Sequence, residues 1–203
     1  MKKTLLVLCL ILFSTFSVFA QTIFVDAGLT YGILNQKKGD FQTDATGPGV
    51  EVSFMYYLTD SLGIYDSLYY CMVNNTSNVD SDDAVSSSFS GVSGSPYISI
   101  NLGPAYRYRF TDSLDIFARG GLNLTIYSST NSTSSNSRTY LGVGGELVAT
   151  YVFNHSLNLY LTAGCGLAYD FYDTTSKKDF SLNDTETNSI TGIMPFIGIG
   201  MRI

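Results

Sequence analysis

One histidine, three cysteines and a thin scatter of charges are all the reactive chemistry that this chain of 203 residues offers. Nucleophilic catalysis needs a nucleophile and a base within reach of each other, and a zinc site needs three or four ligating side chains. His155 lies in Phe153-Asn154-His155-Ser156, at the position that Asp60 and Asp112 hold in two similar segments. It therefore reads as a turn residue, and neither a catalytic centre, a metal site nor a cofactor is expected. Asp80, Asp82 and Asp83 could attract a divalent cation, but the later Glu of a calcium loop is missing. Cys9 falls in an apolar N-terminal run, and Cys71 and Cys165 are too few for a disulfide framework. The richest chemistry is a set of nine charges, Asp26, Glu51, Arg107, Arg109, Asp115, Arg119, Glu146, Asp170 and Arg202, spread through apolar segments among many glycines.

The elements that hold those charges follow from periodicity. Residues 1–20 have the form of an export signal: Lys2 and Lys3, an apolar run from Leu5 to Phe13, and Val18-Phe19-Ala20 as a cleavage site. Without them the chain keeps nine basic residues against seventeen acidic ones, a net charge of −8, which argues against a nucleic-acid partner. Beyond Ala20 no apolar run reaches the length of a transmembrane helix. Apolar residues instead recur at every second position. Ile98, Ile100, Leu102, Pro104, Tyr106, Tyr108 and Phe110 alternate with Ser99, Asn101, Gly103, Ala105, Arg107 and Arg109.

A repeated segment then sets the connectivity. Leu58-Thr59-Asp60-Ser61-Leu62, Phe110-Thr111-Asp112-Ser113-Leu114 and Phe153-Asn154-His155-Ser156-Leu157 each place a tight polar turn between two apolar strands. Asp60, Ser61, Asp112, Ser113, His155 and Ser156 are the expected turn residues. Long polar stretches alternate with these turns: Asn35 to Gly47, Asn74 to Ser95, Ser128 to Arg138 and Asp173 to Thr187. Eight strands result: Thr22 to Leu34, Pro48 to Leu58, Leu62 to Val73, Pro96 to Phe110, Leu114 to Tyr127, Thr139 to Phe153, Leu157 to Tyr172 and Asn188 to Ile203. The expected fold is all-β, an eight-stranded antiparallel up-and-down transmembrane barrel over residues 21–203, with both termini on the short-turn side.

The nine charges share a face with the glycines, whereas the opposite face is nearly all Ile, Leu, Val, Ala and Tyr. A crowded polar lumen and a lipid-facing apolar surface fit that division. Four arginines against five carboxylates predict a lumen plugged by ion pairs. One residue resists: the register of the repeated turns places Asp66 on the lipid face, unless a bulge near Tyr65 shifts the strand. Cys165 falls on the apolar face, so a bridge to Cys71 is not expected.

The signal, the strand count, the stretch Gly103-Pro104-Ala105-Tyr106-Arg107-Tyr108-Arg109-Phe110 and the final Pro195-Phe196-Ile197-Gly198-Ile199-Gly200-Met201-Arg202-Ile203 resemble the small OmpA/OmpX-like outer-membrane barrels of Gram-negative-type bacteria. The resemblance spans the mature chain. It implies outer-membrane lipid around the barrel, insertion by the barrel-assembly machinery through the last strand, and host or environmental ligands at the surface loops. That family ends in an aromatic residue where this chain has Ile203, which lowers the expected efficiency of insertion. A non-enzymatic structural, surface-exposed or adhesive role is the expected function. A small-solute channel is the second reading, and a soluble periplasmic lipid-binding barrel, with the faces reversed, is the third.

Overall fold

The computed structural model describes residues 22–38, 41–79, 95–131, 134–173 and 188–203. The signal segment 1–20 and Asp80, Asp82 and Asp83 lie outside them. Eight strands follow one another: β1 Thr22–Lys38, β2 Phe41–Tyr57, β3 Leu62–Val79, β4 Ser95–Arg109, β5 Leu114–Asn131, β6 Ser134–Asn154, β7 Leu159–Asp173 and β8 Asn188–Arg202. Each pairs antiparallel with its sequence neighbours, and β8 returns to β1 to close the barrel. Reciprocal bonds seal the seam, Ile23 N–H donating to the Ile203 carbonyl at 2.9 Å and Ile203 N–H to the Ile23 carbonyl at 2.8 Å. Closure leaves no strand edge to be satisfied by lipid.

The pleat sends alternate side chains to opposite faces, and the two faces differ as the alternation requires. Glu146 is 5% exposed while the adjacent Leu147 is 64% exposed. An outer belt that includes Leu29, Leu122, Leu147, Ile197 and Ile199 is bounded by two aromatic girdles. Tyr106, Tyr108, Phe110, Tyr151 and Phe153 lie toward the short turns; Tyr31, Tyr70, Tyr169, Phe171 and Tyr172 lie toward the other end. A belt of lipid-facing apolar side chains between aromatic girdles is the outer surface of a membrane barrel. It excludes the reversed facing that a soluble lipid-binding barrel would need.

The three tight turns share one hydrogen-bonding device, placed one residue before the expected turn formers. Thr59 Oγ1 accepts from the N–H groups of Ser61 and Leu62, Thr111 Oγ1 from those of Ser113 and Leu114, and Asn154 Oδ1 from that of Leu157. Short oxygen-bearing side chains that bind the backbone two or three residues on are what fix such turns. Asp60, Asp112 and His155 instead point to solvent.

Two of the four long polar stretches differ from expectation. Asn35 to Gly47 and Ser128 to Arg138 read as loops, yet β1 and β2 stay paired out to Lys38 and Phe41, and β5 and β6 out to Asn131 and Ser134. Backbone groups satisfy one another in a ribbon whatever the side chains are. Pairing of that kind can continue without any apolar alternation in the sequence. β3 likewise continues to Val79 instead of stopping at Val73. β7 starts at Leu159, two residues later than expected, because Asn158 adopts φ 52° in the turn, a left-handed conformation that Asn tolerates.

The third strand keeps its register. Phe54 pairs with Asp66 and Asp66 with Leu102, and the irregularities among β2, β3 and β4 are confined to Asp44/Ala45, remote from Tyr65. Asp66 therefore lies on the outer face, half-buried. Cys71 points inward and is buried, Cys165 lies on the outer face, and both are free thiols.

Candidate functional site

The polar residues that the strands turn inward build the site, stacked in layers along the barrel axis. Nearest the short turns, Phe24 of β1 meets Tyr57 of β2 and Phe117 of β5 edge to face, at 5.7 Å and 5.2 Å between centroids, and Tyr160 of β7 at a tilt, at 5.8 Å. All four rings are buried. Room for them comes from the neighbouring strand: Gly200 of β8, the cross-strand partner of Tyr160, lies directly under its ring, where a Cβ would collide with it. Edge-to-face packing stabilises such a cluster by about 0.5–1.5 kcal/mol per pair beyond simple burial.

A guanidinium lies over the aromatic layer on each side. Arg107 is 5.0 Å from the Phe24 centroid, and Arg119 is 5.9 Å from that of Phe117 and 5.7 Å from that of Tyr65. Arg107 bonds the Asp115 carboxylate at 2.6 Å. Arg119 is fully buried and gathers the central cluster. Its Nη1 donates to Glu146 at 2.9 Å and to Ser53 Oγ at 3.2 Å, while its Nη2 is 3.9 Å from Asp26. Ser53 and Tyr160 donate to the two Asp26 oxygens at 2.8 Å and 3.1 Å, and Ser67 and Asn101 donate to Glu146 Oε1. A charge removed from water is tolerated only when it is paired and hydrogen-bonded in this way.

Glu51 is the exception in that layer. It is fully buried and interacts with the charges of Asp26, Arg119 and Glu146, yet neither of its oxygens has a hydrogen-bond partner. Three carboxylates thus surround one guanidinium. Above them the bonding is mostly between neutral groups: Asn123 donates to Ser99 Oγ and to Asn101 Oδ1, both at 2.6 Å, and accepts from Thr125 at 2.8 Å. Tyr69 crosses the barrel to β7, its hydroxyl 2.7 Å from where a Cβ on Gly166 would stand, and its ring meets Phe196 at 6.1 Å. Higher still, the lining is mostly apolar, with Leu34, Ala45, Tyr127 and Ile190.

The nine expected lumen charges are therefore arranged in more than one group. Arg107 and Asp115 form one pair, and Asp26, Glu51, Arg119 and Glu146 form the central cluster. Asp170 is buried apart from both, with neither oxygen hydrogen-bonded, against Gly142. Arg109 and Arg202 sit at the short-turn mouth, where Arg109 is 3.8 Å from Asp115 and Arg202 donates to the Asn158 side chain at 3.3 Å. The aromatic layer and the hydroxyl and amide partners Ser53, Ser67, Asn101 and Asn123 were not singled out from the sequence. Their signal is only that they share a strand face with the charges.

His155 Nε2 lies 3.2 Å from Ser113 Oγ, which ties two neighbouring turns together on the solvent-exposed rim. The imidazole and the hydroxyl are open to water there, without the enclosed setting in which hydrogen-bond donors stabilise a developing oxyanion. No group of three or more His, Cys, Asp or Glu suited to a metal occurs among the described residues.

A closed eight-stranded barrel, lipid-facing outside and polar within, defines the class of small outer-membrane barrels. A family model, the outer membrane protein beta-barrel domain, matches residues 5–144, and the chain belongs to that family. The fold is shared with solved structures of low identity. The outer membrane protein OprG of Pseudomonas aeruginosa has a TM-score of 0.60 at 14% identity, covering 91% of this chain and 96% of OprG. Neisserial surface protein A has a TM-score of 0.58 at 16% identity over 88% of this chain and 96% of its own. Ail, the attachment invasion locus protein of Yersinia pestis, solved with the heparin analogue sucrose octasulfate, has a TM-score of 0.51 at 14% identity over 89% and 99%. No curated protein matches the sequence.

Proposed function

We propose that this outer-membrane barrel is a non-enzymatic, surface-binding protein whose lumen does not conduct. In this reading residues 1–20 direct export and are removed after Ala20, the barrel domain spans 21–203, and the assembly machinery reads the last strand. The carrying observation is the height of the paired strands. From Tyr31 in the upper girdle, β1 continues paired for seven further residues to Lys38, roughly 20 Å of ribbon along the strand direction, and β5 with β6 rises similarly to Asn131 and Ser134. Ribbons held by backbone bonds, in segments rich in Ser, Thr, Asn and Lys, have little backbone ordering left to lose on binding.

The interior supports the same reading. An eight-stranded barrel is only just wide enough for its side chains to fill it, and here an aromatic layer and the Arg119 cluster occupy successive heights. The test compares cells displaying the protein with cells displaying versions shortened at 36–43 and 129–136, on surfaces coated with heparin. Retention that falls at least fivefold with the shortened ribbons is expected. Equal retention of all versions removes the adhesive role. Steady single-channel currents in planar bilayers that change on Arg107 or Glu146 substitution overturn the closed lumen and favour the channel reading.

A further inference from the structure

The short-turn mouth of the barrel holds a polar cup of about 260 Å³ lined by Thr22, Arg107, Arg109, Asp112 and Arg202. Three of the five arginines in an acidic chain converge there. Their partners are unequal. Arg107 is buried and takes the short 2.6 Å bond to Asp115, while its Nε is buried without any partner. Arg109 has only the far oxygen of the same carboxylate, at 3.8 Å, and its side chain is 55% exposed. Arg202 is held by a neutral amide, Asn158 Oδ1 at 3.3 Å, and by the pairing of its N–H with the Asn158 carbonyl at 3.0 Å.

One shared carboxylate cannot neutralise two guanidiniums, so Arg109 and Arg202 face the cup without a carboxylate at hydrogen-bond distance. Asp112 at the rim leaves three positive charges against two negative ones. A planar guanidinium fork matches the oxygens of a tetrahedral oxyanion two at a time. Strand ends fix the positions of all three arginines: two lie on one face of β4, two residues apart, and the third lies on β8 beside Phe24 of the seam. The side chains therefore enter binding already placed, and less ordering opposes it.

We propose that this cup is an oxyanion site on the periplasmic face, accepting a phosphate group between Arg109 and Arg202 with Arg107 at its base. The group is supplied either by a free phosphate compound entering along the barrel axis or by a phospholipid headgroup folded over the rim. The site lies at the end of the barrel opposite the ribbons, so it is independent of surface binding.

The experiment measures inorganic phosphate binding by calorimetry to the full barrel in an uncharged maltoside detergent, because phosphocholine detergents would fill the site. Saturable binding is expected, weakening as salt rises. Arg109→Gln and Arg202→Gln should each reduce affinity about tenfold, and Lys37→Gln at the far end should leave it unchanged. Both arginines are partly exposed, so the variants should fold, as an unchanged far-UV circular dichroism spectrum would verify. Displacement of phosphate by dihexanoyl phosphatidylglycerol at lower concentration than phosphate itself assigns the headgroup as the source; weaker displacement assigns the free compound. Absence of saturation below about 10 mM, or equal affinity in the double variant, overturns the proposal.

Discussion

The lower and upper halves of the lumen are filled by different physics. Toward the short turns, rings and ions alternate: Phe24, Tyr57, Phe117 and Tyr160 between the guanidiniums of Arg107 and Arg119. Toward the ribbons, hydroxyls and amides form a ladder through Ser99, Asn123 and Thr125, with the buried Asp170 carboxyl beside it, before the lining turns apolar. The lumen arginines are thus concentrated where aromatic faces and several partners can offset their desolvation. The upper half, Asp170 apart, depends on bonds between neutral groups that are individually modest. The lower half should therefore be the stiff, costly-to-mutate part of the barrel, and the upper half the tolerant one.

Substitutions can break or sharpen that contrast, measured by urea unfolding in lipid vesicles. Arg119→Leu removes the guanidinium from among three carboxylates and should cost about 4 kcal/mol or more, since the stranded charges stay buried. Phe117→Ala opens the aromatic layer and should cost about 3 kcal/mol. In the upper half, Asn123→Ala breaks three hydrogen bonds between neutral groups, and about 1–2 kcal/mol is expected. Glu51→Gln should have the smallest effect, within about 1 kcal/mol, because it replaces a buried carboxyl that has no hydrogen-bond partner with an amide of the same shape. An Asn123→Ala loss as large as that of Arg119→Leu would erase the distinction between the halves.

Much of this was legible in the chain, for a definite reason. Alternation and the repeated turns at Asp60, Asp112 and His155 report which face of each strand is buried and where strands reverse, and both are local properties. Hence strand number and the facing of most strands followed from counting, while the outward position of Asp66 was decided only by the unbroken register of β3. Two things were not local. The ribbons at Asn35 to Gly47 and Ser128 to Arg138 are built from polar residues with few apolar ones to alternate, so no periodicity marked them. The grouping of lumen residues depends on the stagger between strands around the barrel. That stagger brings Asp26 of β1 to Arg119 of β5 and lays Tyr69 of β3 over Gly166 of β7, contacts that no strand-by-strand pattern contains. The turn device was missed for a smaller reason: Thr59, Thr111 and Asn154 each stand one residue before the position that drew notice.

The two free thiols of the folded barrel face different media. Cys165 looks into hydrocarbon and Cys71 into the packed lumen, so a lipophilic maleimide dissolved in the bilayer should label the first and spare the second. An unfolded chain offers both. The ratio of single to double labelling therefore counts, molecule by molecule, how many barrels have closed, and a time course of that ratio follows insertion without adding a foreign reporter.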